Sequence, residues 1–184
     1  RAVEAVNRAA ERVIFGRDAA QNIVDKVHKM GLARGQKALV IGPGGHDYLP
    51  VFLHKLGLSV SLIEADASVL KEQERLIGSL GLQDRITAYA RSGEIEGTFD
   101  DIFLLGVVHY FIGLDTRRNI AQWEKEGQKE AADFAGAFDI QQKIAPLLGH
   151  LEPATGRVFV NDVADAGKKG LGYFEKAVEL VRSD

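Results

Sequence analysis

Residues 38–41, Ala-Leu-Val-Ile, run directly into Gly42-Pro43-Gly44-Gly45. An apolar tetrad without a polar interruption reads as a strand buried on both faces. Glycines placed immediately after it end the strand in a tight turn that little side-chain bulk obstructs. Residues 47–56 then carry a helical pattern, so the chain reads strand, glycine turn, helix. A helix between strands is the crossover that a parallel sheet requires, and this one junction already restricts the fold to the α/β class.

The alternation continues downstream. Val60-Ser61-Leu62-Ile63 reads as a second strand ending on Glu64 and Ala65, residues 68–80 as a helix closed by Gly81, and residues 86–89 as a third strand. Residues 102–108 form a strongly apolar fourth strand. Residues 116–148 are long, charged and helical in pattern, with breaks expected near Gly127 and Gly136. Arg157-Val158-Phe159-Val160 gives a fifth strand and residues 172–181 a last helix. Ahead of the first strand, Val3, Val6, Ala10, Val13 and Ile14, then Ile23, Val27 and Met30, recur at helical spacing and predict two helices parted near Gly16. Asp18 followed by Gln21 reads as a capping box for the second, and Gly31 as its end. No internal repeat or low-complexity tract is present.

Composition excludes several classes of function. A chain of 184 residues with 46% hydrophobic content buries one sizeable core. The net charge of −3, with Lys and Arg scattered, leaves no basic footprint for a phosphate backbone, so nucleic acid is not an expected partner. With no cysteine, disulfides, thiolate nucleophiles and zinc–thiolate sites are all excluded. No apolar run approaches the roughly 20 residues of a membrane span and nothing at the start reads as a signal peptide; a cytoplasmic protein is expected. The chain opens on Arg1, which suits a segment of a larger parent chain.

The glycine turn places backbone N–H groups at a helix N-terminus, where a ligand can approach closely. A dinucleotide fingerprint needs glycine at three positions of G-x-G-x-x-G. Here Gly42 and Gly44 match, but the third position is Asp47, whose carboxylate would repel a pyrophosphate. S-adenosylmethionine has no phosphate. Its sulfonium and ammonium groups tolerate a nearby acid, and its carboxylate can use the helix-end amides. Glu64, at the end of the second strand, suits ribose hydroxyls in either ligand, so an NAD(P)-dependent oxidoreductase stays open as an alternative.

Three segments, Val40-Ile41-Gly42-Pro43-Gly44-Gly45-His46, Leu62-Ile63-Glu64-Ala65-Asp66 and the run from Phe99 to Phe111, resemble the class I S-adenosylmethionine-dependent methyltransferases in order and spacing. The resemblance implies a Rossmann-like doubly wound sheet, mainly parallel, in the order 3-2-1-4-5, with S-adenosylmethionine over the carboxyl ends of the strands. The apolar spacing makes residues 1–34 a helical segment, and the resemblance, which covers about residues 19–163, makes residues 35–184 the cofactor-binding domain. The cofactor contacts it implies are Gly42, Pro43, Gly44, Gly45, His46, Glu64, Ala65, Ser92, Gly106 and Val107. The sequence departs from the family at Val40, where an acid is common, and at His46, where a third glycine is usual. After the third strand, where the family places an acid for the adenine amine, stand Arg91, Ser92, Gly93 and Glu94, and Ser92 or a backbone carbonyl takes that role. The family's usual last two strands have no counterpart after residue 163, which leaves strand five as an edge and predicts a homo-oligomer or a larger parent chain.

Methyl transfer is an in-line displacement, so catalysis rests mostly on alignment. For a hydroxyl acceptor a general base helps, and His109, read at the end of the fourth strand, is the candidate. Tyr110 reads as a core residue, with a pocket wall or an aromatic face toward the sulfonium as the other readings. The segment Gly106-Val107-Val108-His109-Tyr110-Phe111 lacks the Asn/Asp-Pro-Pro-aromatic motif of nucleic-acid amino methyltransferases and resembles the small-molecule branch. A small-molecule or carrier-bound acceptor is therefore expected, with a catalytically inactive scaffold as the other alternative. Trp123, Phe134 and Phe138 read as the buried face of a helix, or as a roof over the substrate. His28, His54 and His150 show no metal-ligand spacing, and no metal is expected.

Overall fold

The computed structural model describes residues 30–43, 49–105, 107–161, 173, 174, 176 and 177. The two helices expected over residues 1–30 lie outside these apart from Met30, which is helical and is followed by Gly31 at φ 63°. The elements are β1 (Lys37–Ile41), α1 (Leu49–Lys55), β2 (Ser59–Ile63), α2 (Ala67–Ser79), β3 (Ile86–Tyr89), β4 (Asp101–Leu105), α3 (Leu114–Lys125), α4 (Lys129–Leu148) and β5 (Arg157–Asn161). The five strands form one sheet in the order β3-β2-β1-β4-β5. β1 pairs parallel with β2, Lys37 opposite Ser59 through Ile41 opposite Ile63, and β2 pairs parallel with β3.

The described residues fall into two compact units, one comprising the chain up to Phe103 with Glu152–Arg157, the other Leu104–Leu151 with the chain from Val158 onward. In the first, Ala38, Leu39, Leu62 and Ile102 are fully buried and α1 packs on β1, β2 and β3. Burial on both faces is why β1 carries no alternation. α2 is opened by Asp66, whose Oδ1 accepts the Ser68 and Val69 amides, and closed by Gly81 at φ 68°, with the Leu82 N–H donating back to Ile77 O at 3.0 Å. That is an αL termination that glycine supplies without steric cost.

In the second unit α3 packs on α4, and Ile120 of α3 and Ala132, Ile140 and Ile144 of α4 are buried. The expected break at Gly127 is present: its φ is 74°, and the Gln128 N–H closes the turn on Trp123 O at 2.8 Å. The break expected at Gly136 is not. Gly136 is buried inside an unbroken α4, where a Cβ would lie 2.7 Å from the Tyr173 ring. Its glycine serves close packing, a use that sequence spacing does not distinguish from a helix break.

β4 also ends earlier than its apolar run suggests. The strand stops at Leu105, Val107 takes φ −118° and ψ −18°, and Val108–Phe111 form a 3-10 turn. An apolar run has the same composition in a strand and in a turn, so periodicity alone did not place the boundary, and Tyr110 in that turn is exposed rather than part of the core. Phe134 and Phe138 are 61% and 45% exposed and stack at 6.1 Å on the outer side of α4, so they do not belong to its buried face. Trp123 is half-buried.

Candidate functional site

The carboxyl ends of β1, β2 and β3 gather polar and glycine positions in the first unit. β1 stops because Gly42 turns to φ 61°, a left-handed conformation that a side chain disfavours. Its N–H still donates to Ile63 O at 2.9 Å, which sets Gly42 beside the end of β2. Pro43 behind it is buried. Glu64 follows Ile63 directly, and its own N–H donates to Tyr89 O at 3.1 Å. The β2 end is thereby tied to both neighbouring strands, and the backbone under Glu64 is held on either side.

The two acids that follow β2 have different surroundings. Asp66 is spent on structure: its Oδ1 accepts the Ser68 hydroxyl at 2.6 Å and the Ser68 and Val69 amides at 2.8 and 3.3 Å. The Ser68 hydroxyl, then those amides, hold its carboxyl below the usual carboxylate range. Glu64 is half-buried, and its Oε1 accepts the Asp66 N–H at 3.0 Å. That bond orients the carboxylate and leaves Oε2 without a hydrogen bond to a described residue. A fixed acceptor of this kind suits a diol, whose two hydroxyls donate to one carboxylate.

After β3 the chain makes a 3-10 turn, Ser92–Glu94. Glu94 is the acid nearest the strand end, yet its Oε2 accepts the Ala90 and Arg91 amides at 3.1 and 3.2 Å and so shapes its own turn. Ser92, the first residue of that turn, is exposed, as is Ala65. The expected residues Gly42, Pro43, Glu64, Ala65 and Ser92 thus stand at the carboxyl ends of three adjacent strands. Gly44, Gly45, His46 and Gly106 lie outside the described residues. Val107 belongs to the second unit, where it is buried and precedes the 3-10 turn that carries His109.

That turn is pinned at its far end. The Gly113 N–H donates to Asp139 Oδ2 at 2.8 Å and Arg117 Nε to Ile112 O at 2.9 Å. Sequence reading singled out neither Asp139 nor Arg117, since both are ordinary helical polar residues by composition. His54 is half-buried, and burial, then the charges of Lys55 and Arg85, hold it below the usual imidazole range.

No protein-family model and no curated protein sequence matches the chain. Among solved structures it is similar to a TehB-like SAM-dependent methyltransferase from Corynebacterium glutamicum, with a TM-score of 0.55 and 19% identity over 85% of this chain and 70% of that one. The strand order and this likeness agree on one architecture. The chain has the fold of the class I methyltransferases. SAM-dependent methyltransferases from Geobacter sulfurreducens and Thiobacillus denitrificans, both in complex with S-adenosyl-L-homocysteine, are similar at TM-scores of 0.48 and identities of 15% and 14%, covering 76% of this chain. The chain spans 46% of the length of those two methyltransferases. Among the described residues, no helix is long and apolar enough to cross a membrane.

Proposed function

We propose that this chain binds S-adenosylmethionine at the carboxyl ends of β1–β3 and belongs to an enzyme that transfers its methyl group to a small-molecule or carrier-bound acceptor. The observation that carries the reading is Glu64: a half-buried carboxylate, oriented by the Asp66 N–H, with one oxygen left for a ligand, next to a left-handed glycine that ends β1. In a sheet of order 3-2-1-4-5 the order reverses between β1 and β4, so Gly42 at the carboxyl end of β1 borders the switch point, where nucleoside ligands of such folds bind. Asp47 disfavours a pyrophosphate at the same turn, which separates this reading from a dinucleotide enzyme.

The residues fit the cofactor in chemical type. Glu64 would accept the ribose hydroxyls, Gly42 and the glycines after it in the sequence would let the backbone approach the ligand, and Ser92 would supply a hydroxyl for the adenine. When bound, S-adenosylmethionine supplies a methyl group already activated on a sulfonium. The task left to the chain is to bind and align, and, for a hydroxyl acceptor, to take up one proton, for which His109 is the candidate base. It stands in a 3-10 turn that follows β4 rather than in the strand itself.

Thermal denaturation with S-adenosylhomocysteine, NAD and NADP tests the proposal. A ligand that binds only the native state raises Tm, so a rise with S-adenosylhomocysteine alone is expected. A rise with NAD or NADP alone contradicts it, and no rise with any of them points to a scaffold.

A further inference from the structure

We propose that Asp101 and Arg157 form a pH-operated latch that holds the strap Met30–Gln36 against the amino ends of the sheet, and that protonation of Asp101 lets the strap go. The latch stands at the opposite end of the strands from the Glu64 site and does not depend on what binds there.

Asp101 opens β4 and is completely buried. Its Oδ1 accepts Arg157 Nε at 2.8 Å and lies 2.7 Å from Arg157 Nη2. Oδ2 is buried and has no hydrogen-bond partner among the described residues. Arg157, at the start of β5, turns the rest of its guanidinium to the strap: Nη1 donates to the carbonyls of Met30 and Gly31, and Nη2 to Gln36 Oε1 at 3.4 Å. Gln36 Oε1 also accepts the Ala33 N–H at 2.6 Å, so the strap folds around the same cation. Gly31 is shaped to admit it: at φ 63°, a Cβ there would lie 2.8 Å from Nη1. One side chain joins β4, β5 and the segment through which residues 1–29 reach β1.

The ion pair is poised because burial and pairing act on Asp101 in opposite directions. Burial raises the Asp101 carboxyl above the usual carboxylate range, and the Arg157 hydrogen bond and charge only partly pull it back. The charged groups that bear on Asp101 are Arg157 from β5 and, repelling, Asp100 beside it; the carboxylate of Asp100 is engaged by the Lys37 N–H at 2.7 Å. If Arg157 swings away with the strap, Asp101 loses the one compensating charge that the described residues give it, and its proton affinity rises further. By linkage, what raises proton affinity on opening is favoured by protons, so acid favours the open strap. Arg157 has somewhere to go, being one-third exposed while its partner is buried. The device is one-way: the carboxylate bears the cost of burial, and the guanidinium reaches water.

Amide hydrogen exchange, corrected for its intrinsic pH dependence and read by mass spectrometry on peptides covering residues 30–36 and 59–63, tests this. Protection of the strap is expected to fall about tenfold or more between neutral pH and the acid side of the Asp101 titration, while the β2 peptide stays protected. D101N should abolish that pH dependence. Equal strap protection in the wild type at both pH values, or the same pH dependence in D101N, overturns the latch. Because D101N could fold poorly, the wild-type Asp101 carboxyl is also titrated by NMR. A midpoint coincident with strap release supports the latch, and one at or below the ordinary aspartate value of about 3.9 overturns it.

Discussion

Glu64 and Asp66 are both acids at the end of β2, and only their hydrogen bonds distinguish a ligand-binding candidate from a cap. Asp66 Oδ1 gathers three donors from the first turn of α2, while Glu64 keeps an oxygen uncommitted. Glu64→Ala is therefore expected to weaken S-adenosylhomocysteine binding by about 1–3 kcal/mol, the loss of a charged acceptor for two hydroxyls, with Tm of the free protein little changed. Calorimetric titration of the variant measures this, and an unaltered Kd removes Glu64 from the site. His109→Ala is expected to lower turnover on a hydroxyl acceptor by roughly 10²-fold with cofactor affinity intact, as for a lost general base. A parallel fall in both would mark His109 as a packing residue.

Among the elements, α4 makes the most demanding contact. Gly136 sits on its buried face with the Tyr173 ring where a Cβ would go, at 2.7–2.9 Å. Alanine would improve helix propensity by about 1 kcal/mol, but crowding a packed ring costs about 1–3 kcal/mol. The crowding wins because the nearest atoms include Cγ and Cδ2, which move only with the whole ring. Gly136→Ala is expected to lower stability by about 1–2 kcal/mol in urea unfolding, and an increase would show that Tyr173 yields freely. On the opposite side of the same helix, Phe134 and Phe138 stack in the open. Helical spacing does group these aromatics with a core, and only the packing of α3 on α4 shows which stripe is covered.

Over the whole molecule two carboxyls displaced from the ordinary range, Asp66 and Asp101, give stability a pH dependence with two signs. Asp66 is depressed, so the stability its cap contributes is present above the unfolded value of about 3.9 and is lost as pH falls through the lower folded value. Asp101 is raised, so the native state holds its proton more tightly than the unfolded chain does, and stability is lost as pH rises from about 3.9 through the folded value. The wild type should therefore gain stability relative to Asp101→Asn as pH falls from neutral toward about 4; urea midpoints of the two proteins across that range measure it, and a constant difference refutes the assignment. None of this was legible beforehand. The alternation of short apolar runs with helical segments, and the glycines after Ile41, determined the α/β class, and with the resemblance the strand order, because burial on both faces and a left-handed turn leave direct marks on residue type. Glu64 was legible for the same reason, as an acid at a fixed offset from a strand end. The end of β4 at Leu105, the buried Gly136, the exposed Phe134 and Phe138 and the Asp101–Arg157 latch were decided only by tertiary structure. Each depends on which distant residue arrives as a neighbour: Tyr173 for Gly136, Arg157 for Asp101. Local spacing carries no record of that.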